Sequence, residues 1–273
     1  MVFDAIVNAW LVIVLTSLAL VELALPRRAP TQGRALRWPT NITIGSLNIL
    51  FAAITIAPVA AAAIAVDWRW GLFNRISVPS VVAIVISVLV LDALAYLQHR
   101  LLHASAVLWR VHRVHHADVD LDATTGLRFH PFEALISYVR MVAAVVILGL
   151  PPAGVAIYLW ISAIITVLTH ANVRLPSRLE SVAQWLVVTP AMHAIHHSAL
   201  PAETDRNFAT IFSMWDRLGG TYRAEAHGGQ ARVRAGLEEF REPRYLTLPW
   251  TLALPFCAAP TSAAAAPARV KTG

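Results

Sequence analysis

Val78 to His103 reads VPSVVAIVISVLVLDALAYLQHRLLH. The run from Val78 to Leu97 reaches the roughly 20 residues that a helix needs to cross ~30 Å of hydrocarbon. It leads directly into an HxxxH pair, His99 and His103. In a helix, residues four apart stack on one face, so both imidazoles can approach one metal ion. A membrane span therefore ends in half of a metal site.

The rest of the chain agrees with this reading. Its 273 residues are 57% hydrophobic and 14% charged, and the mean hydropathy is +0.60. Such a chain lacks the polar surface of a water-soluble globule. Two further apolar stretches of spanning length precede the first, Ala5 to Leu25 and Ile42 to Val66. Two more follow it, Pro131 to Leu150 and Pro152 to Thr169, although the fourth carries Glu133 and Arg140. Leu150-Pro151-Pro152-Ala153-Gly154 between them reads as the tight turn of a helical hairpin, and Pro131 suits a first helical position. The N-terminal run lacks a basic region and a small-residue cleavage site and is longer than a signal-peptide core, so it reads as a retained anchor.

Charge position gives the expected orientation. Arg27, Arg28, Arg34 and Arg37 fill the loop after the first stretch, while the loop after the second has Arg69 and Arg75 beside Asp67. The positive-inside rule then puts the first loop and the histidine clusters on the cytoplasmic side, as expected of a bacterial inner-membrane protein. The net charge is +6, but all of the 22 basic residues except Lys271 are scattered arginines, which excludes a nucleic-acid surface. Cys257 is the single cysteine, so neither a disulfide framework nor a thiolate metal site is available, and it reads as a small apolar residue. Three zones are expected: an anchor of three spans over 1–97, a histidine-bearing domain over 98–222 with a helical hairpin at 131–170, and a polar, partly disordered tail over 223–273. Disorder is expected from Ala258 onward, where no aromatic remains to be buried.

Eight of the 11 histidines fall in three short runs. After His99 and His103 comes HxxHH at His112, His115 and His116. A second HxxHH follows at His193, His196 and His197. Neighbouring residues in a helix are about 100° apart, so His115 and His116 either serve two metals or straddle one. One such cluster is no more than a packed core histidine with company; three clusters at predicted membrane boundaries call for metal, because burying so many imidazoles without partners is costly. Eight neutral imidazoles without thiolate exceed the four ligands of a structural zinc and suggest two ions with exchangeable positions. The runs lack the HExxH glutamate of zinc proteases and the paired Glu-x-x-His of soluble carboxylate-bridged di-iron bundles. An apolar substrate in the bilayer offers C–H bonds rather than an ester, which favours redox iron with O2.

The same residues resemble the fatty acid hydroxylase and sterol desaturase superfamily, whose signature is HxxxH, HxxHH and a later HxxHH. Trp109 to Glu133, WRVHRVHHADVDLDATTGLRFHPFE, is similar to the family's stretch leading into an RxHPxE element, here Arg128, His130, Pro131 and Glu133. His170 to Pro176, Val188-Thr189-Pro190, Asn207-Phe208-Ala209 and Trp215 to Tyr222 resemble further family segments. Ala209 stands where the family often has Gly, and Gly219 where it often has Phe.

The resemblance covers roughly Ala95 to Tyr222. It implies an all-α, multi-span membrane protein with a histidine-rich di-metal helical cap, and two iron ions held by His99, His103, His112, His115, His116, His193, His196 and His197. His170, returned by the hairpin toward these clusters, is expected as a ninth ligand. His130 is expected either to bind metal or to support a ligand, and His227 to be a plain loop residue. Partners that hydrogen-bond to ligating imidazoles are expected among Asp92, Glu133, Asn172 and Asp216, with Asp118 and Asp122 reading more simply as surface charges or caps. Trp109, Trp185 and Trp215 are expected in the interfacial belt.

The implied activity is hydroxylation, or desaturation, of a C–H bond in a lipid entering from the bilayer, with O2 as co-substrate. No dinucleotide loop, haem-attachment motif or FeS cysteine set is present, so electrons are expected from a separate ferredoxin- or cytochrome-linked reductase. A metal transporter and a metal-stabilised scaffold without turnover are the rival classes. A transporter places polar residues at the midplane of several spans, whereas these clusters fall after spans.

Overall fold

The computed structural model describes residues 2–54 and 58–258. Among these the chain is helical, without strands, apart from two isolated bridges. The helices are α1 (Val2–Ala24), α2 (Arg34–Ile54), α3 (Pro58–Asp67), α4 (Ser80–Ala104), α5 (Ala106–His116), α6 (Pro131–Leu148), α7 (Pro152–His170), α8 (Ser177–Leu186) and α9 (Pro190–His196). Three short helices follow: α10 (Pro201–Thr204), α11 (Met214–Leu218) and α12 (Leu248–Ala253). Among the described residues, α4, α6 and α7 are long and apolar enough to cross a membrane. Their outward faces carry exposed Val81 and Val85, Val139 and Ile147, and Trp160, an exterior suited to hydrocarbon. The protein is a membrane protein built on these helices.

The stretch Ile42 to Val66, expected as one span, falls on two helices. α2 begins at Arg34, well before the apolar run, because its first turns face a polar network: Arg37, Thr40 and Asn41 are all buried. α3 then buries Ala61, Ala62 and Ala65, and small residues permit the close approach to α6 and α7 seen here. The core between the long helices consists of Val88 and Leu91 of α4, Met141 and Val145 of α6, and Val155 and Tyr158 of α7.

The hairpin forms, but its turn is Gly149-Leu150-Pro151 rather than the expected Leu150 to Gly154, because Pro152, Ala153 and Gly154 already make the first turn of α7. Pro131 and Pro152 occupy first-turn positions, and Gly149 ends α6 at φ 70°, a left-handed cap that other residues adopt at a cost. The turn packs on the loop after α3, where Phe73 N–H donates to the Leu148 carbonyl (2.8 Å). At the opposite end the α1–α2 loop is tied to the end of α7. Arg27 N–H donates to the Asn172 carbonyl (2.8 Å), and Asn172 N–H donates to Glu22 Oε1 (2.7 Å). The arginine-rich first loop therefore shares one end of the molecule with the histidines.

The expected polar tail is structured over its described part. Leu237, Phe240, Tyr245 and Leu254 are buried against Val114 and Ala117 at the end of α5. Arg128, fully buried, ties this strap to the site: it donates to the carbonyls of Val114 (2.9 Å) and Tyr245 (3.1 Å) and to Thr251 Oγ1 (3.0 Å). Cys257, half-buried, packs beside Leu254. Residues 259–273, where disorder was expected, lie outside the described residues.

Candidate metal centre

Local signals set the helices that carry the histidines. Ser105 caps α5 by accepting from Leu108 N–H, Thr189 caps α9 by accepting from Met192 N–H, and Pro190 fills the first position of α9. Nine histidines converge in two groups. The first holds His99, His103, His112, His116 and His196, and the second His115, His170, His193 and His197, with the candidate ligand nitrogens of each group within 4.8 Å of one another. The two HxxHH runs divide in opposite senses. α5 sends His112 and His116 to the first group and His115 to the second; α9 with its C-cap residue, His197, sends His193 and His197 to the second and His196 to the first. Each i, i+4 pair stays together on one face, and the odd neighbour, about 100° away, turns to the other group.

The ring nitrogens are arranged for cations rather than for each other. His170 Nδ1–H donates to the Thr166 carbonyl (2.6 Å), which leaves Nε2 with a single lone pair. That nitrogen faces His115 Nε2 at 3.0 Å and His193 Nε2 at 2.9 Å, and one lone pair cannot accept both. In the first group, His99 Nδ1–H donates to the Phe208 carbonyl (2.7 Å) and His196 Nδ1–H to that of Arg206 (2.8 Å). Nε2 of His196 and of His103 are buried without a protein hydrogen-bond partner. Nitrogens each about 2.1 Å from one ion and at right angles stand about 3 Å apart, the spacing seen between His99 and His112 (3.0 Å) and between His193 and His197 (3.2 Å). The donor set fits metal ions.

Burial, and then charge on neighbouring rings, holds His115, His116, His193 and His197 well below the ordinary 6.5 and lowers His196 to about 3. These imidazoles are neutral at physiological pH, the form in which they bind metal.

The expected supporting residues have divergent fates. Glu133 Oε1 accepts from His112 Nδ1 (2.8 Å). Asp216 acts one step away: it accepts from Phe208 N–H (2.7 Å) and Ala209 N–H (3.0 Å), fixing the carbonyl that orients His99. Asp92 accepts from Ile211 N–H (3.1 Å), Phe212 N–H (3.0 Å) and Trp215 Nε1–H (2.8 Å), so this acid of α4 clamps the loop ahead of α11. Asn172 joins Arg28 and Glu22. Asp118 and Asp122 are buried acceptors for Arg37, with Arg37 Nη2 to Asp118 Oδ2 at 2.8 Å and Nη1 to Asp122 Oδ2 at 2.7 Å, and are not surface charges; Asp122 is the cap that was the other expectation, accepting from Thr124 N–H (3.0 Å). Burial opposes ionisation of Asp118, and the Arg37 guanidinium overcomes it, leaving the carboxyl at about 2.

His130 lies outside both groups and caps α6, accepting from Phe132 N–H (3.1 Å) and facing the Leu252 carbonyl (3.2 Å). His227 is exposed in a loop. Trp109, expected in the interfacial belt, packs on His103 and His116 at centroid separations of 4.8 and 5.3 Å. Asp205, which no motif marked, accepts from His103 Nδ1 (3.1 Å). Only its closeness in sequence to the third cluster pointed to it.

A cavity of about 310 Å³ borders both groups. His99 and His112 of one and His115, His170 and His193 of the other form its roof; Ala95, Met141, Tyr158 and Ser162 carry it down between α4, α6 and α7. Glu133 Oε2, Gln98 Oε1 and Arg140 Nε, on residues lining this cavity, are buried and have no protein partner.

Gly219 accounts for one departure from the resembled pattern. A Cβ built there falls 1.8 Å from Tyr96 Oη. That hydroxyl fills the space and meets Thr221 Oγ1 at 3.0 Å.

Residues 84–221 match the fatty acid hydroxylase family model. Curated relatives include an ornithine lipid hydroxylase, OlsE, of Rhizobium tropici, 29% identical over 67% of this chain and 55% of its own length. Sphinganine C4-monooxygenase 1 of Arabidopsis thaliana is 30% identical over 50% of this chain and 53% of its own. Human alkylglycerol monooxygenase is 27% identical over 48% of this chain and 28% of its own. The matched region thus spans about half or less of these relatives. No solved structure matches the chain. With the histidine pattern and the match over residues 84–221 together, the chain belongs to the fatty acid hydroxylase family.

Proposed function

We propose that this protein is a membrane monooxygenase that hydroxylates a C–H bond of a lipid, with one iron ion in each histidine group. The observation that carries the reading is the cavity whose roof belongs to both groups and whose walls are membrane helices. A lipid chain entering between α4, α6 and α7 brings its C–H bonds to the histidines without leaving apolar surroundings. The pair of ions supplies O2 activation: with two electrons and two protons, one oxygen atom enters the C–H bond and the other leaves as water. The chain's own residues do the rest. Glu133, Asp205 and the carbonyls of Phe208, Thr166 and Arg206 fix ring orientation, and Gln98 and Arg140 offer hydrogen bonds to a polar group of the substrate. Hydroxylation is preferred to desaturation because the relatives named above are hydroxylases or monooxygenases. The histidine end carries the arginines of the first loop, which supports a cytoplasmic orientation.

The deciding experiment is metal analysis of protein purified anaerobically, with Mössbauer spectroscopy on an iron-57 preparation. Two spin-coupled irons per chain, lost in His112→Ala and His196→Ala, are expected. Zinc retained from iron-rich cells, or no stoichiometric metal, overturns the reading.

A further inference from the structure

A second, larger hollow lies at the histidine end: a cleft of about 1100 Å³ between the α1–α2 loop, the segment after α7, the start of α8 and residues 230–241. Arg27, Arg28, Arg174, Arg232, Arg234 and Arg241 line it, against two carboxylates, Asp120 and Glu180. Asp120 is engaged by the backbone N–H groups of Thr31 (2.9 Å) and Gln32 (2.8 Å). Burial, and then the adjacent charge of Arg27, pulls Arg28 down to about 10.

The cleft is bonded closely to the second histidine group. Ala235 lines it, and the next residue, Gly236, donates its N–H to the His197 carbonyl (3.2 Å). Asn172 lines it two residues after His170. Leu121 and Val233 of its wall pack on Ala194 and Ile195, between His193 and His196.

The cleft lies across α8 from an exposed apolar stripe. On α8 the exposed apolar residues Leu179, Val182, Trp185 and Leu186 form one stripe, as in a helix lying in the interface. Ser177 and Glu180, which line the cleft, fall on the opposite side of the helical wheel at about 100° per residue.

We propose that this cleft docks a small acidic protein that carries one electron, and that the His197 and His170 connections lead that electron to the metal centre. The proposal rests on the oxygenase reading, which requires two external electrons per turnover. Each docking oxidises the carrier by one electron; two dockings, two protons and one O2 convert R–H to R–OH and water.

The test uses the iron-loaded full chain in neutral-lipid nanodiscs and a plant-type [2Fe–2S] ferredoxin as probe, with binding and stopped-flow oxidation of the reduced ferredoxin as readouts. Binding is expected at low ionic strength and should be lost at roughly 1 M salt, where the screening length is about 3 Å. Arg174 and Arg232 are exposed, so R174E/R232E should fold while weakening binding and slowing ferredoxin oxidation by roughly tenfold or more. R75E, in the loop at the opposite end, should change neither. Ferredoxin binding unaffected by R174E/R232E overturns the proposal, as does a variant that keeps ferredoxin binding but loses attachment to phosphatidylglycerol vesicles, which makes the cleft an anionic-lipid site. Salt-sensitive docking through these arginines without substrate-dependent O2 uptake, even with a small-molecule reductant, leaves the docking site standing and removes the oxygenase reading instead.

Discussion

Glu133 is the carboxylate that touches a histidine of the first group from α6, and its effect belongs to the single residue. Removing a group that orients a ligating imidazole costs roughly 10- to 100-fold in metal affinity. Glu133→Ala is therefore expected to release iron at correspondingly lower chelator concentration, measured by chelator titration, while Glu180→Ala, on α8, should not. Titration adds a second expectation. His115, His116, His193, His196 and His197 have pKa values below 6.5 in the folded chain. Below pH 6.5 the unfolded chain takes up protons that these folded rings refuse, so stability is full above 6.5 and falls as pH drops. Each contributes up to about 1.4 kcal/mol per pH unit. Thermal unfolding of metal-depleted protein should shift down steeply between pH 7 and 5; a flat profile contradicts the buried, neutral rings.

Elements matter through how closely they approach. Gly219, in the turn after α11, leaves room for Tyr96 of α4, whose hydroxyl bonds Thr221. Gly219→Ala overpacks this contact at an expected cost of about 1–3 kcal/mol. Tyr96→Phe in the same chain should recover part of that loss, and a double-mutant cycle on thermal stability checks it. Additive effects mean that the two groups do not meet as described. The same scale explains α5 and α9. Each carries HxxHH, but they address the shared site from different sides, so the lone histidine of one run joins the pair of the other.

For the whole molecule, the cavity belongs to no single element. Its roof comes from α4, α5, α7 and α9 and its walls from α4, α6 and α7. Met141→Trp is expected to fill the space between α4 and α7 without touching a histidine. Product formation should then fall by about 100-fold or more, as substrate misplacement does elsewhere, with iron content unchanged. Loss of iron in this variant places Met141 in the support of the site rather than in the path of the substrate.

Much of this architecture was legible because its signals are local. Hydropathy marks α4, α6 and α7, the Pro151-Pro152 pair marks where α7 begins, and the 3.6-residue period places His99 with His103 and His193 with His197. The buried role of Asp118 and the packed strap to residue 258 were not legible. Each depends on partners about 80 or more residues distant, such as Arg37 for Asp118 and Arg128 for Tyr245. By itself the sequence determined that this is a helical membrane protein with three histidine runs, since hydrophobic length and helical period depend on neighbours along the chain. Only the tertiary structure decided how those runs divide into two groups and which carbonyls orient them, because a backbone carbonyl carries no side-chain signature and its position is set by packing across the fold.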